Sequence, residues 1–319
     1  MPWTECIRPS THITATSTLF HRAITLQSEI PHLIGDVGFP ENEQGSRSRS
    51  SVDGENMGDY SRRVIPAAGA EEGDGASRLP RRGPRLVGGV DVSFVKESEE
   101  NACATLVVLD FPSLDTVYEV HERVTMDHPY VSGFLAFREV QHLVRLVERL
   151  RREKPDMEPD VIFVDGNGRL HPRGAGLACH LGVLTGMRTI GVGKTFLHVD
   201  GLSKHGVRDR ARSMLSEGLS DFPLVGESGK VWGMATLSLQ EDTGRCAVTN
   251  PVFVSVGHRV SLETCLALTK AVSRYRVPEP VRQADIRSRK IIREWLLENE
   301  SHEGGAWSSR ETPEPTSSG

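Results

Sequence analysis

The stretch DVIFVDGNGRLHPRGAG, Asp160 to Gly176, decides how the chain is read. Val161–Val164 is a continuous apolar run of strand length, and a strand buried on both faces belongs to a parallel or mixed sheet. The run ends on Asp165, at the carboxyl end of the strand, where open α/β sheets place ligand groups. Gly166, Gly168, Gly174 and Gly176 follow, interleaved with His171, Arg169 and Arg173. That is more glycine than a turn requires, and it suits a backbone brought close to something anionic.

Upstream of this strand lie LVGGVDVSFV (86–95), CATLVVLDF (103–111) and TVYEVHERVT (116–125). Three β-rich runs with short polar connections predict an antiparallel meander. In YVSGFLAFREVQHLVRLVERLRREKP (130–155), Leu135, Leu143, Val144, Val147 and Leu150 recur at helical spacing, and Pro155 fits the helix end. AGLACHLGVLTG (175–186) predicts a helix, and RTIGVGK (188–194), KVWGMATLSL (230–239) and NPVFVSVG (250–257) predict strands. Two helices close the order, SLETCLALTKAVSRY with Ser261 as N-cap and VRQADIRSRKIIREWLLE. A meander followed by alternating helix and strand makes an α/β domain on a mixed sheet.

The flanks differ from this middle. Residues 1–85 are rich in Gly, Ser, Arg and Pro without sustained periodicity, and 298–319 read the same way with an acidic balance; both predict disorder. The chain then divides into an atypical N-terminal segment (1–85), one domain (86–297) and an acidic tail (298–319). Hydrophobic residues make up 37% of all 319 and the formal charge is -5, which excludes a generally basic nucleic-acid coat. Residues 86–297 carry equal numbers of basic and acidic side chains, so a polyanion would be held by local patches or a metal. The five scattered cysteines have no C-x-x-C spacing, which argues against a disulfide framework or a zinc site and for a reducing compartment. No apolar run reaches the length of a membrane span.

Three acids sit where acids are costly. Asp91 interrupts an apolar strand on the face of Val87, Gly89, Ser93 and Val95. Glu139 shares the helical stripe of Leu135 and Leu143, and Asp165 ends its strand. A buried, unpaired carboxylate would sooner take up a proton, and three together repel one another. A hard divalent cation, Mg²⁺ or Mn²⁺, resolves both problems; arginine pairing or backbone capping is the alternative. Around them, His171, Lys194 and His258 are candidates for proton transfer or oxyanion stabilisation. Arg138, Arg145, Arg149, Arg151, Arg152, Arg169 and Arg173, with KHGVRDRAR (204–212), are either solvated faces or grips on a phosphate backbone. Tyr130 is placed to stack on, or wedge beside, a displaced base, or else to pack at a helix start. The glycines do not make G-x-G-x-x-G, because 171 is histidine, and IGVGKT lacks the first glycine of a P-loop.

Taken together, VGGVDVSF, PYVSGFLAFRE, VDGNGRLHPRGAGLACHLGVLTGMRTIGVGKT, SVGHRVSLETCLALT and RVPEPVRQAD resemble endonuclease V over about residues 86–293, with SVGHR and RVPEPVRQAD similar to the animal branch. The resemblance implies an RNase H-like fold. It also implies a Mg²⁺-dependent endonuclease, with Mn²⁺ able to substitute, acting on inosine-containing single-stranded RNA or DNA. Cutting on the 3′ side of inosine would leave 3′-hydroxyl and 5′-phosphate ends. It implies Asp91, Asp165 and Glu139 as metal-binding acids and Tyr130 as a wedge. Gly133, Leu135, Gly168 and His171 would surround the displaced base, with Lys194 and His258 beside the scissile phosphate. A monomer without membrane attachment, in cytoplasm and nucleus including the nucleolus, is expected on the same ground. The rival readings are an inosine-binding module without catalysis and a different RNase H-like nuclease. Two departures stand out: the N-terminal helix usual before the first motif is not recognisable, and Gly193 replaces an expected alanine.

Overall fold

The computed structural model describes residues 83–126, 133–237 and 250–301. Nearly all of the two flanks expected to be disordered, and Tyr130, lie outside the described residues. Eight strands form one mixed sheet: β1 Leu86–Phe94, β2 Asn101–Asp110, β3 Thr116–Thr125, β4 Val161–Asp165, β5 Thr189–Gly193, β6 Asp221–Val225, β7 Val231–Thr236 and β8 Val252–His258, in the order β3-β2-β1-β4-β5-β8-β7-β6. The expected meander is present: β1 pairs antiparallel with β2, and β2 with β3. β4 then lies parallel to β1 and β5 parallel to β4, giving the RNase H-like order 3-2-1-4-5. β8, β7 and β6 continue the sheet antiparallel.

Helices α1 Leu135–Glu153 and α2 Leu177–Thr185 cover one face, and α4 Leu262–Ala271 and α5 Glu279–Ser301 cover the other. The apolar stripe of α1, including Val140, Leu143, Val147 and Leu150, packs on Val90, Ala104, Leu106 and Val164. Its last turn carries Arg151 and Arg152, which favour the negative end of the helix dipole. α2 stops at Gly186, whose φ of 71° is the left-handed conformation that ends a helix most cheaply on glycine. Ser261 caps α4 as expected, accepting from the Thr264 amide at 3.2 Å.

On the opposite face, α5 runs so close to β1 that a side chain at Gly89 would collide with the Pro280 carbonyl. Further along, Val95 packs with Ile291, Ile292 and Trp295. The odd-numbered face of β1 thus looks at α5. Two elements were not anticipated from the sequence. α3, Lys204–Ser216, has few apolar residues and buries only Val207 and Ala211. β6 is short and contains Pro223, which a sheet tolerates at its edge.

Candidate active site

Parity and register bring two acids together. Val90 pairs with Val164 across the parallel β1–β4 ladder, so Asp91 and Asp165 are the next neighbours in register and project to the same face. Asp91 is 5% exposed. Ser93 donates to its Oδ2 at 2.7 Å, and Ser288 Oγ on α5 lies 3.0 Å from that oxygen and 2.7 Å from Ser93 Oγ. Burial, then the charge of Asp165 and a hydrogen bond between the two carboxyls, raises Asp91 to about 7. Near neutral pH the protonated form of Asp91 is therefore well populated.

Lys194 follows β5 on the same face. Its Nζ is 2.6 Å from Asp165 Oδ2 and 3.9 Å from Asp285 Oδ1 of α5, which Arg289 also pairs at 2.9 Å. Burial opposes the lysine charge, but Asp165, Asp91 and Asp285 outweigh it and hold Lys194 above its ordinary value. It is therefore a cation and not a base. Glu139, also 5% exposed, faces the pair from α1. Burial first, then Asp91 and Asp165, raises it to about 8, against the pull of Arg138.

These residues share a cleft of about 280 Å³, lined by Asp91, Asp165, Glu139, Leu135, Lys194 and Asn167 among others. A buried carboxyl that its acidic neighbour holds back from ionising, beside that second acid, forms a hard oxygen donor set, which fits a divalent cation. Among the described residues, however, no three His, Cys, Asp or Glu side chains are close enough together to hold one ion. Asp91 and Asp165 make the pair, and Glu139 reaches the cleft from the helix on the other side of the sheet without completing a triad. Of the expected set of three, Asp91 and Asp165 are thus the adjacent pair, with Glu139 lining the same cleft within electrostatic reach.

The remaining candidates divide. Gly133, at φ 79°, meets His171: a side chain there would touch His171 Nε2, and the Gly133 carbonyl accepts from Arg173 at 2.9 Å. Burial, then Arg173, lowers His171 against the pull of the Gly133 carbonyl, and so favours its neutral form. This cluster adjoins Phe134, over whose ring Arg173 stacks, and precedes Leu135 at the cleft.

Gly168 is used differently from the expectation. Its amide donates to Ser255 Oγ at 2.9 Å, and a side chain there would strike the Val256 carbonyl. Its smallness lets the loop after β4 fold against β8. His258 is not brought to the acids. β8 runs antiparallel to β5, pairing Phe253 with Gly193 and His258 with Thr189, so His258 lies roughly 13 Å from the lysine end of β5 at a strand's rise per residue. It packs instead where Gly182 of α2 leaves room for it. Asp285 and Ser288 went unassigned, because nothing local in RVPEPVRQAD tells which helix face meets β1. Their spacing of three on a helix next to the expected site was the available signal.

Residues 74–286 match the endonuclease V family. The mouse (Mus musculus) endonuclease V is 54% identical over 214 residues, 67% of this chain and 62% of the mouse protein, so the chain spans less than two thirds of that relative's length. The crystal structure of human endonuclease V superimposes with a TM-score of 0.65 at 43% identity, covering 88% of this chain and 99% of the human one. The Ciona intestinalis enzyme in complex with a DNA containing an inosine followed by a ribo-adenosine gives 0.64 at 36% identity, covering 67% and 89%. Family match, sequence identity and structural superposition agree, and the chain belongs to the endonuclease V family.

Proposed function

We propose that this chain is a divalent-metal-dependent endonuclease. It cuts inosine-containing single-stranded nucleic acid, RNA ahead of DNA, on the 3′ side of the inosine, leaving 3′-hydroxyl and 5′-phosphate ends. The observation that carries this reading is the Asp91–Asp165 carboxyl pair beside Lys194 in one open cleft. The family match and the inosine in the Ciona complex support the substrate class, and the ribo-adenosine there supports a ribose next to the inosine.

Asp91 and Asp165 would hold Mg²⁺, or Mn²⁺ in its place, with Glu139 facing them. Bound there, the ion supplies Lewis-acid polarisation of the scissile phosphate and a water of lowered pKa. The chain's own part is positioning and charge. Ser93 and Ser288 fix Asp91, and Lys194 stabilises negative charge developing on a phosphate oxygen in a partly dehydrated site. Gly133 and His171 would face the displaced base.

The test offers the full chain matched RNA and DNA strands with and without one inosine, in Mg²⁺ and in chelator. The expected result is metal-dependent cutting near inosine, faster on RNA, lost by at least a hundredfold in Asp91→Ala and Asp165→Ala, on the order expected when a group that positions a catalytic ion is removed. Equal cutting of inosine-free strands would overturn the base specificity. Full activity in either variant would overturn the site.

A further inference from the structure

A second cavity, about 160 Å³, opens beside the cleft and shares Lys194 and Thr195 with it. Its other lining includes Lys204 and Arg208 of α3, Arg276, and the rings of Phe196 and Phe253, with no acidic residue. Among the described residues no carboxylate pairs with Lys204, Arg208 or Arg276. The α1 arginines differ: Arg145, Arg149 and Arg151 are each neutralised by a glutamate at 2.7–2.9 Å. Arg276 is held rigidly by carbonyls alone, donating to Asn250 at 2.9 Å, to Lys194 at 2.8 Å and to Pro251 at 3.2 Å. It thereby ties the cavity to the backbone of the active-site lysine.

α3 bears a cost that needs a reason. Its first turn contains Lys204 and no acid, which places positive charge at the positive end of the helix dipole. Arg208 repeats the charge four residues on, where like charges repel. An anion between them removes both penalties.

We infer that this cavity is a phosphate subsite for the strand downstream of the cut, taking a phosphodiester that follows the one held at the acid pair. The inference rests on the proposed nuclease reading for its direction. The Gly133–Leu135 end of the cleft would face the inosine, so a strand passing Lys194 leaves on its 3′ side, into the cavity. Lys204 and Arg208 supply exposed charge, and Arg276 one tied to backbone carbonyls. Phe196 and Phe253 form an apolar wall beside them.

The experiment compares the full chain with the double variant Lys204→Gln/Arg208→Gln. Two inosine RNA strands are used, one ending just past the cut with a free 3′-hydroxyl and one continuing several nucleotides further. For the wild type, kcat/KM is expected to favour the longer strand, and the variant should lower that preference about tenfold. Separately, binding of a uridine homopolymer in chelator is measured against salt. The variant should flatten the log–log slope by about one, as for one lost phosphate contact. If both strands are cut equally by the wild type, or both fall equally in the variant, the subsite is overturned, as it is by unchanged salt slopes. If the wild type cuts neither strand, the nuclease reading fails while the salt slopes still judge the cavity. Should inorganic phosphate raise the melting temperature of the wild type alone while the slopes coincide, the cavity binds free anions and the strand assignment falls.

Discussion

Asp91 and Glu139 are ionised in the unfolded chain at neutral pH, yet in the folded protein burial and neighbouring acids raise them to about 7 and about 8. Between pH 4 and pH 8 the folded state therefore holds protons that the unfolded state has released. Stability of the ion-free protein falls as pH rises through that window, and the contribution is fully present only below it. Asp91→Asn keeps the oxygen that accepts from Ser93 and Ser288 but cannot ionise. In chelator at pH 8 the variant is expected to exceed the wild type by a few kcal/mol, with the difference gone at pH 4, as read by urea unfolding at both pH values. The same variant should lose cutting. A variant less stable at both pH values would show that the carboxyl is held by favourable bonds and not against its own burial. The costly position was legible in the sequence, because an acid within LVGGVDVSFV needs a partner; whether that partner is an ion, an arginine or a backbone group was not.

At the scale of elements, α5 decides the site's second shore. It delivers Ser288 to Asp91 and Asp285 to Lys194, and it can do so because Gly89 lets its first turn lie against β1. Gly89→Ala is expected to push the helix away, lowering unfolding free energy by about 1–3 kcal/mol, the usual cost of overpacking, and reducing cutting with it. Chemical denaturation and an activity assay check the two together; loss of neither would mean that α5 is not seated by this approach. What the sequence disclosed here was parity and what it withheld was register. Period-two alternation put Asp91 on the face of Val87 and Ser93 correctly, but only the pairing of Val90 with Val164 sets Asp165 beside it. The location of His258 was withheld for the same reason: the last residue of a strand does not reveal which end of the sheet it reaches until the strand's direction is known. α3 and β6 escaped because neither has the apolar periodicity by which elements are read; both are held by a third core around Phe196, Val207, Ala211 and Phe222.

Across the whole molecule, the sheet joins an antiparallel half, β3-β2-β1, to a half running from β4 to β6, and the acid pair spans the seam between β1 and β4. Ionising Asp91 beside Asp165 would set like charges across the very ladder that unites the halves, so an ion that offsets them stabilises the entire fold and not a local loop. An ion that binds only the folded chain raises unfolding free energy with its concentration, by about 2.7 kcal/mol at a hundredfold excess over Kd. Thermal melts with increasing Mg²⁺ or Mn²⁺ are accordingly expected to move upward as one cooperative transition in the wild type. Asp165→Ala leaves a single acid at the seam and should melt at a temperature independent of the ion. Raising the salt to 1 M with a monovalent cation should not reproduce the effect, because screening reaches buried pairs far less than exposed ones. A wild-type melt indifferent to divalent ions, or an equal rise in Asp165→Ala, would dissociate the acid pair from metal binding.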